Sequence, residues 1–207
     1  MAIVVGPPGV LVAIEGIDGA GKTTQVERLT ELFTREGYSV VRTKEPTDGP
    51  WGRKLRESAT TGRLSPEDEL DTFLRDRREH VATLLRPSLG AGKIVLVDRY
   101  YYSSVAYQGA RGLDPDEILR LNESFAPRPD LLVILEIDPA AGVSRVNRRG
   151  VGNLFEREDD LRRSADIFKK IAHPNLARID ATQAPEVVMD EIVKALRETI
   201  ARRGQRV

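Results

Sequence analysis

The chain has 207 residues, a length typical of one domain, and a chain of this size needs no disulfide or zinc site to fold. It contains no Cys and only two His, which excludes cysteine nucleophiles, structural disulfides and thiolate metal sites. The 32 basic and 32 acidic side chains cancel to a formal net charge of zero, which argues against a broadly basic nucleic-acid binder.

The N-terminal segment is apolar, but it is neither a signal peptide nor a membrane span by its pattern. No Lys or Arg precedes the apolar run, and no apolar run in the chain reaches the ~20 residues that cross a bilayer. Because Gly6, Pro7 and Pro8 would interrupt a strand, we predict an N-terminal extension over residues 1–9 and a single domain over residues 10–207. We expect the protein to be cytoplasmic.

Short β-branched runs alternate with longer helical patterns along the rest of the chain. The predicted strands cover residues 11–15, 39–43, 94–97, 131–136 and 176–179. The predicted helices cover residues 22–36, 52–60, 66–86, 115–125, 139–148, 157–171 and 185–202. Most of the strands are continuous apolar runs, typical of strands covered on both faces, so the pattern predicts an α/β domain with a five-stranded parallel sheet flanked by helices.

Several of these helices have recognisable ends. Ser65 followed by Pro66 predicts a capped helix start, and Asp138 followed by Pro139 repeats that pattern. Gly37 and Gly90 stand where glycines that end helices are expected.

A phosphate-binding loop follows the first predicted strand and opens the first predicted helix. Residues 16–23 match the pattern G-x-x-x-x-G-K-[ST] in full. The glycines let backbone N–H groups curl around phosphate oxygens, Lys22 supplies a mobile cation, and the Thr23 hydroxyl is a ligand for Mg²⁺. The motif and its context together predict a three-layer P-loop NTPase fold.

One arginine interrupts the apolar face of the helix predicted over residues 66–86. Leu70, Phe73, Leu74, Val81, Leu84 and Leu85 form a helical stripe, and Arg77 occupies a position in it that should be apolar. A buried guanidinium needs a partner, so one interpretation is an ion pair with Asp76 or Glu45. The other is that Arg77 and Phe73 line a pocket for a planar heterocycle with carbonyl oxygens.

Polar residues follow the third predicted strand, where ligands of parallel sheets collect. Asp98 is well placed to bind Mg²⁺ or its waters, and Arg99 beside it to hold a phosphate. Four tyrosines lie within the next eight residues, and packing is the simple interpretation of Tyr101 and Tyr102.

The motifs together resemble those of the thymidylate kinase family, over residues 11–200. They are the loop Glu-Gly-x-Asp-Gly-x-Gly-Lys-Thr at 15–23, the (Arg/Lys)-Glu-Pro turn at 44–46, Phe-x-x-Asp-Arg-x-x-His at 73–80, Asp-Arg-Tyr-x-x-Ser-x-x-Ala-Tyr-Gln at 98–108, Pro-Asp at 129–130, an Arg-rich lid near 145–158 and Asp-Ala-Thr-Gln at 180–183. The resemblance implies transfer of a phosphoryl group from ATP–Mg²⁺ to dTMP in dTTP biosynthesis. It also implies a homodimer, with neither nucleic acid nor membrane as a partner.

The resemblance also implies roles for individual residues. The donor side would comprise Gly16, Ile17, Asp18, Gly19, Ala20, Gly21, Lys22, Thr23, Thr24, Arg145, Arg149 and Ala181. The acceptor side would comprise Asp18, Pro46, Arg56, Phe73, Arg77, Arg99, Ser103, Ser104, Tyr107 and Gln108. Thr23 and Asp98 would hold the metal, and Lys22, Asp18, Arg99 and Arg149 would be catalytic.

Three departures from the family pattern leave alternatives open. Thr47-Asp48 replaces a Gly-Gly pair, Leu74-Arg75 replaces small residues, and Asn153-Leu154 stands where the lid usually carries Asp-Arg. Arg149 is therefore the first candidate for the lid cation, followed by Arg148 and Arg157. The alternatives are a kinase of the same fold with another nucleoside monophosphate as acceptor, and a nucleotide-binding protein with little turnover.

Overall fold

A computed structural model of the protein describes residues 9–147 and 158–204. Its centre is a sheet of five parallel strands in the order β2-β3-β1-β4-β5. The strands are β1 (Val10–Glu15), β2 (Val40–Lys44), β3 (Ile94–Asp98), β4 (Leu131–Glu136) and β5 (Leu176–Asp180). The predicted parallel sheet is thus confirmed, with each strand within about a residue of its expected bounds.

Helices surround this sheet and connect its strands. They are α1 (Lys22–Arg35), α2 (Pro50–Thr61), α3 (Pro66–His80), α4 (Arg86–Gly90), α5 (Tyr101–Ala110), α6 (Pro115–Glu123), α7 (Pro139–Asn147), α8 (Glu158–Lys170) and α9 (Pro185–Gly204). None of the helices in residues 9–147 and 158–204 is both long and apolar enough to cross a membrane.

The sheet is packed on both faces, which explains the continuous apolar strands. On β1, Val12 and Ile14 belong to the cluster that contains α1 and α9 residues, whereas Leu11 and Ala13 belong to the cluster with α5 and α8 residues. These four side chains are at most 1% exposed. Two apolar layers on opposite faces make the three-layer α/β architecture that was predicted.

The helix predicted over residues 66–86 is a longer helical run with a defect. An α-helix covers Pro66–His80, a π-helical turn covers Val81–Leu85, and α4 continues to Gly90. The N–H of Arg86 donates to the carbonyl of Val81, five residues back. Since Pro87 has no N–H to donate and its ring would crowd a carbonyl one turn earlier, the wider turn lets the run pass this residue.

Helix ends agree with the sequence at most predicted positions. Ser65 Oγ accepts from the N–H of Asp68, and Asp138 Oδ1 accepts from the N–H of Ala140, so both caps are confirmed. Gly37 has φ +90° directly after α1, as expected. The prediction for Gly90 is wrong, because the left-handed residue that follows α4 is Gly92, with φ +73°.

One helix was absent from the sequence prediction. Residues 101–110 form α5, although Tyr101-Tyr102-Ser103-Ser104-Val105 is a run of poor helix formers. The N-cap residue Tyr100 offers no side-chain cap of its own. The cap comes from β1 instead and is part of the candidate site.

Candidate active site

The phosphate loop lies between β1 and α1, in the context that the motif requires. Gly19 and Gly21 have φ values of +82° and +92°, which residues with a side chain rarely adopt. A Cβ atom on Gly19 would lie 2.4 Å from the carbonyl oxygen of Gly142, so glycine is required there. No side chain caps the start of α1 at Gly21, and its first N–H groups therefore remain available to an anion.

Lys22 lies buried against this loop. Its Nζ donates to the carbonyl of Ile17 at 2.8 Å. Burial lowers the pKa of Lys22 to about 8, aided by the neighbouring Arg99 and opposed by Asp18, Asp98 and Glu15. The ammonium thus faces a cluster of charged groups at the carboxyl ends of β1 and β3.

Asp18 and Arg99 form the centre of that cluster. The two side chains make an ion pair, and the Tyr107 hydroxyl donates to Asp18 Oδ2 at 3.1 Å. Burial would raise the pKa of Asp18, but Arg99 and Lys22 outweigh it and lower the pKa. Burial lowers the pKa of Arg99, but Asp18, Tyr107, Asp98 and Glu15 together outweigh it and raise the pKa above its usual value. Three residues predicted as catalytic are therefore in electrostatic contact.

Arg99 has an uncommon backbone conformation. Its φ is +66°, and it is the only non-glycine residue with positive φ in the part of the chain that the structure describes. A left-handed conformation costs a residue with Cβ about 1–2 kcal/mol. Surrounding bonds hold it: its N–H donates to Ile14, and its Nη1 lies 3.2 Å from Ser103 Oγ. The turn aims the guanidinium across the end of the sheet.

Glu15 supports this turn, a role that the sequence did not reveal. Its Oε1 accepts from the N–H groups of Tyr100 and Ser103 at 2.7 and 3.0 Å, and its Oε2 accepts from Ser103 Oγ at 2.6 Å. Glu15 is thus the cap of α5, provided from another strand. Burial raises its pKa to about 7, although these hydrogen bonds and Arg99 act in the opposite direction.

A cavity of about 380 Å³ opens beside Arg99, between α2, α3 and α5. Its wall includes the whole predicted acceptor set, namely Asp18, Pro46, Arg56, Phe73, Arg77, Arg99, Ser103, Ser104, Tyr107 and Gln108. Six further lining residues were not predicted as acceptor residues: Glu45, Leu55, Ala59, Arg63, Glu69 and Tyr100. This volume lies within the range of small-molecule sites.

Arg77 lies in the wall of this cavity and is fully buried. Its Nε pairs with Glu45 at 2.7 Å, its Nη1 donates to Asn122, and its Nη2 donates to Ser104 Oγ at 3.1 Å. Arg77 thus forms the predicted ion pair with Glu45 and also lines a pocket with Phe73, whose binding of a planar heterocycle stays a prediction. A guanidinium has five N–H donors, and these bonds use three of them.

Glu45 holds the Arg77 side chain in place. It is 4% exposed, and its second oxygen lies 2.9 Å from His80 Nδ1. His80 Nε2 in turn lies 2.8 Å from Thr43 Oγ1. This chain of contacts ties α3 to β2, so the arginine is positioned before any ligand arrives.

A second cavity of about 390 Å³ shares part of its wall with the first. Asp18, Glu45, Pro46, Arg56 and Arg99 line both cavities. The second cavity is also lined by loop residues, including Lys22 and Thr23, and by Asp98. The phosphate loop and the apolar pocket thus open toward each other across Arg99.

Thr23 and Asp98 meet in this second cavity. Thr23 Oγ1 donates to Asp98 Oδ2 at 2.5 Å. Hydroxyl and carboxylate oxygens fit Mg²⁺, which binds proteins through one or two side chains together with phosphates and waters. Among the described residues no group of three or more His, Cys, Asp or Glu side chains is placed to hold a metal by itself.

The last donor-side residues lie on the other flank of the loop. Arg145 Nη1 lies 3.4 Å from the Gly19 carbonyl and donates to the Ala181 carbonyl at 3.1 Å. Asp180 holds its own turn by accepting from the N–H and hydroxyl of Thr182. The lid candidates Arg148, Arg149 and Arg157, together with Asn153 and Leu154, lie outside the described residues.

The departures at 47–48 and 74–75 lie outside the acceptor cavity. Leu74 packs against an apolar cluster with Leu70. Arg75 points to solvent, where it pairs with Asp71. Thr47 bonds both oxygens of Asp76 through its N–H and its hydroxyl, at 2.8 and 2.6 Å. None of these residues contributes to the cavity wall, although Asp48 pairs with Arg56, which does.

A parallel three-layer domain, a phosphate loop on its central strand and an adjoining pocket behind an arginine define the class of phosphate-loop nucleotide kinases. The sequence profile of the family described as thymidylate kinase matches residues 14–192. The chain belongs to the thymidylate kinase family.

Similar proteins support this membership over nearly the full length. A thymidylate kinase of Xanthomonas oryzae pv. oryzae (strain PXO99A) is 49% identical, with 99% of this chain and 92% of the relative covered. One of Xanthomonas campestris pv. campestris (strain B100) is 52% identical, with coverage of 91% and 83%. A third, of Xylella fastidiosa (strain M12), is 49% identical, with coverage of 94% and 89%.

Proposed function

We propose a role for each site residue of this protein in the reaction of its family. In that reaction a phosphoryl group passes from ATP to dTMP and gives dTDP and ADP. One observation carries the proposal. The cavity with the complete predicted acceptor set shares Asp18, Arg56 and Arg99 with the cavity of the phosphate loop. Two nucleotides bound in these cavities would bring their phosphates together at Arg99.

The donor nucleotide would lie on the loop Gly16–Thr24. Its β- and γ-phosphates would accept hydrogen bonds from the loop N–H groups at the start of α1. Lys22 would stay in contact with the γ-phosphoryl group during its transfer. Arg145 and Ala181, which are joined at the side of the loop, would border the adenine.

The acceptor nucleotide would enter the cavity between α2, α3 and α5. Its phosphate would bind Arg99, with Arg56 in the wall of the same two cavities. Pro46 would pack near the base, and Ser103, Ser104 and Tyr107 would line the sugar, where Tyr107 would disfavour a 2′-hydroxyl. Asp18 would lie between Lys22 and the acceptor sugar.

Thymine would stack on Phe73 and present its polar edge to Arg77 and Gln108. Arg77 has two N–H donors that its three protein partners do not use, and these suit a base carbonyl. Gln108 Oε1 is buried with no hydrogen-bond partner among the residues that the structure describes. The ring N–H of thymine would supply the missing donor.

Mg²⁺ fits the oxygen pair of Thr23 and Asp98. Thr23 would bind it directly and Asp98 through water. When bound, the ion neutralises charge on the donor phosphates.

The transfer itself needs little covalent chemistry from the protein. An oxygen of the dTMP phosphate forms the new bond to the γ-phosphorus, and the bond between that phosphorus and the bridging oxygen of ADP breaks. The phosphate is its own nucleophile, so no strong base is required. Arg99 holds the attacking phosphate in line, while Lys22 stabilises the charge that develops on the transferred group.

We assign the lid cation to Arg149, ahead of Arg148 and Arg157, because Leu154 replaces the usual lid arginine and the loop carries Gly19 where some relatives place an arginine. Arg149→Ala should lower kcat by about 10³ if this side chain neutralises the transition state. Arg148→Ala is the matched control. A loss of only a few-fold in the Arg149 variant would overturn the assignment.

A coupled assay of ADP release tests the acceptor directly. With ATP and Mg²⁺, dTMP should give the highest kcat/KM in a panel of nucleoside monophosphates, with dUMP next and dCMP far below. A preference for another monophosphate would mean that the pocket binds a different acceptor. The absence of turnover with every acceptor would mean that the protein binds nucleotides with little turnover. A single domain from residue 10, an extension over residues 1–9 and a homodimer stay predictions.

A further inference from the structure

Glu69, at the start of α3, forms a buried network in the wall of the acceptor cavity. It is 2% exposed. Its oxygens accept from Gln108 Nε2 at 3.0 Å, from Arg111 Nη1 and from Arg63 Nε at 3.2 Å. These contacts join α3, the α2–α3 loop and the end of α5. The reaction mechanism uses none of the three charged groups.

The network fixes which way the Gln108 amide faces. A carboxylate has only acceptor oxygens, so the amide must turn its NH₂ group toward Glu69. The opposite orientation would place the amide oxygen against a buried carboxylate. The amide oxygen Oε1 is consequently left without a partner among the described residues, and the Gln108 side chain lines the cavity beside Phe73 and Arg77.

We propose that Glu69 is a positioning residue for base specificity, which holds the Gln108 amide so that only its oxygen is offered to the base. An acceptor at this place selects a base whose ring nitrogen carries hydrogen, as in thymine and uracil. Cytosine has a bare ring nitrogen there, and it would leave two buried acceptors facing each other. The inference rests on the function proposed for the cavity. It adds the reason why the Gln108 amide cannot rotate to bind cytosine.

Arg63 and Arg111 have a separate task in this arrangement. They neutralise Glu69, which would otherwise be an isolated buried charge. Arg63 lines the same cavity as Phe73 and Arg77, whereas Arg111 is not among the lining residues. Weakening Arg111 should therefore affect stability more than base choice.

Glu69→Gln tests the proposal, because a glutamine at 69 accepts either orientation of Gln108. Titration calorimetry with dTMP, dUMP and dCMP measures the effect without requiring turnover. We expect the preference for dTMP over dCMP to fall about 10- to 100-fold. The preference for dTMP over dUMP should stay within about twofold, because both bases carry the ring N–H and differ only in the methyl group.

Arg111→Met is the matched control. It removes one partner of Glu69 and lowers stability, yet it leaves the contact between Glu69 and Gln108 in place, so the dTMP to dCMP ratio should stay within about twofold of the parent. An unchanged ratio in folded Glu69→Gln, or an equal fall in both ratios, would overturn the proposal. If Glu69→Gln does not fold, the double variant Glu69→Met/Arg111→Met removes the charge pair together and should show the same loss of discrimination.

A double-mutant cycle separates this inference from the function on which it rests. Gln108→Leu alone should abolish the discrimination against dCMP, and adding Glu69→Gln should then change nothing further. If Gln108→Leu leaves the discrimination intact, the cavity does not read the base as proposed. If Gln108→Leu abolishes it and Glu69→Gln does not, the cavity assignment stands and the role of Glu69 is overturned.

Discussion

The acceptor half and the donor half of the site are formed by different kinds of groups. The acceptor cavity is walled by side chains, and buried acids hold its polar members: Glu45 holds Arg77, and Glu69 holds Gln108. The donor side is chiefly a loop of backbone N–H groups between β1 and α1, with glycines that leave room for them. Lys22 is the one buried cation that this loop adds among the described residues.

The difference follows from what each half must recognise. Phosphate is the same in every nucleotide, so backbone donors suffice, and they cost no ordering when the ligand arrives. A base is distinguished by the pattern of donors and acceptors on its edge, so the acceptor half needs side chains held in one orientation. Changes in the donor half should therefore affect turnover, and changes in the acceptor half should affect affinity and selectivity.

Lys22→Met should have the largest effect of these substitutions, and it tests the donor half of the site. The loop N–H groups remain in this variant, so the Kd for ATP should rise only about 10-fold, while kcat should fall about 10³-fold because the developing charge loses its cation. Fluorescent-nucleotide titration and the coupled assay measure the two quantities. A collapse of ATP affinity with kcat retained would show that the donor half depends on side chains as the acceptor half does.

Arg99→Met tests the boundary between the halves. The acceptor phosphate loses its clamp, so kcat/KM for dTMP should fall about 10²-fold while the KM for ATP stays within a few-fold. Asp18 also loses its partner, and Arg99→Lys is the control that keeps the charge without the planar fork. Parallel increases in the KM values of both substrates would place Arg99 on the donor phosphates instead.

Glu15→Gln has a smaller effect, which depends on pH. The pKa of Glu15 is raised to about 7 in the folded protein from 4.5, so the folded state holds the proton more tightly, and stability is lost as the pH rises from about 4.5 to about 7. A glutamine resembles the protonated acid and carries no such loss. Relative to the parent, the variant should gain roughly 2–3 kcal/mol of unfolding free energy between pH 5 and pH 8.

Urea unfolding at the two pH values measures this gain. Glu186→Gln is the exposed control, because the pKa of Glu186 is lowered and its ionisation is largely complete below this range. No relative gain for Glu15→Gln would mean that the buried carboxyl titrates elsewhere.

Local patterns in the sequence were sufficient for most of the fold, and they indicated acceptor residues that the structure brings together in one cavity. The apolar strands, the loop motif and the residues around Phe73 and Arg99 all carry local signals, and the cavity brings them together. Helix α5 has no such signal. Its residues disfavour a helix, and its cap, Glu15, stands 85 residues before Tyr100. Glu69 was missed for a similar reason, since its partners Gln108 and Arg111 are far away in the chain.

The smallest expected effect concerns a residue that the sequence made prominent. Arg75 departs from the family pattern two positions before Arg77, yet its side chain is 54% exposed, pairs with Asp71 and lies 5.1 Å from the Trp51 ring centroid. On a helix the residue two positions away faces another direction. Arg75→Ala should therefore leave kcat/KM for dTMP within twofold and stability within about 0.5 kcal/mol.

The same change is a sharp test of where the acceptor half ends. If selectivity resides in buried side chains held by Glu45 and Glu69, an exposed departure is invisible to the ligand, and the ratio of kcat/KM for dTMP and dCMP should not move. A tenfold change in that ratio would extend the acceptor half to the outer face of α3. The departure from the family would then alter specificity through solvent-exposed charge, which acts weakly and is screened by salt, so the effect should disappear at 1 M salt.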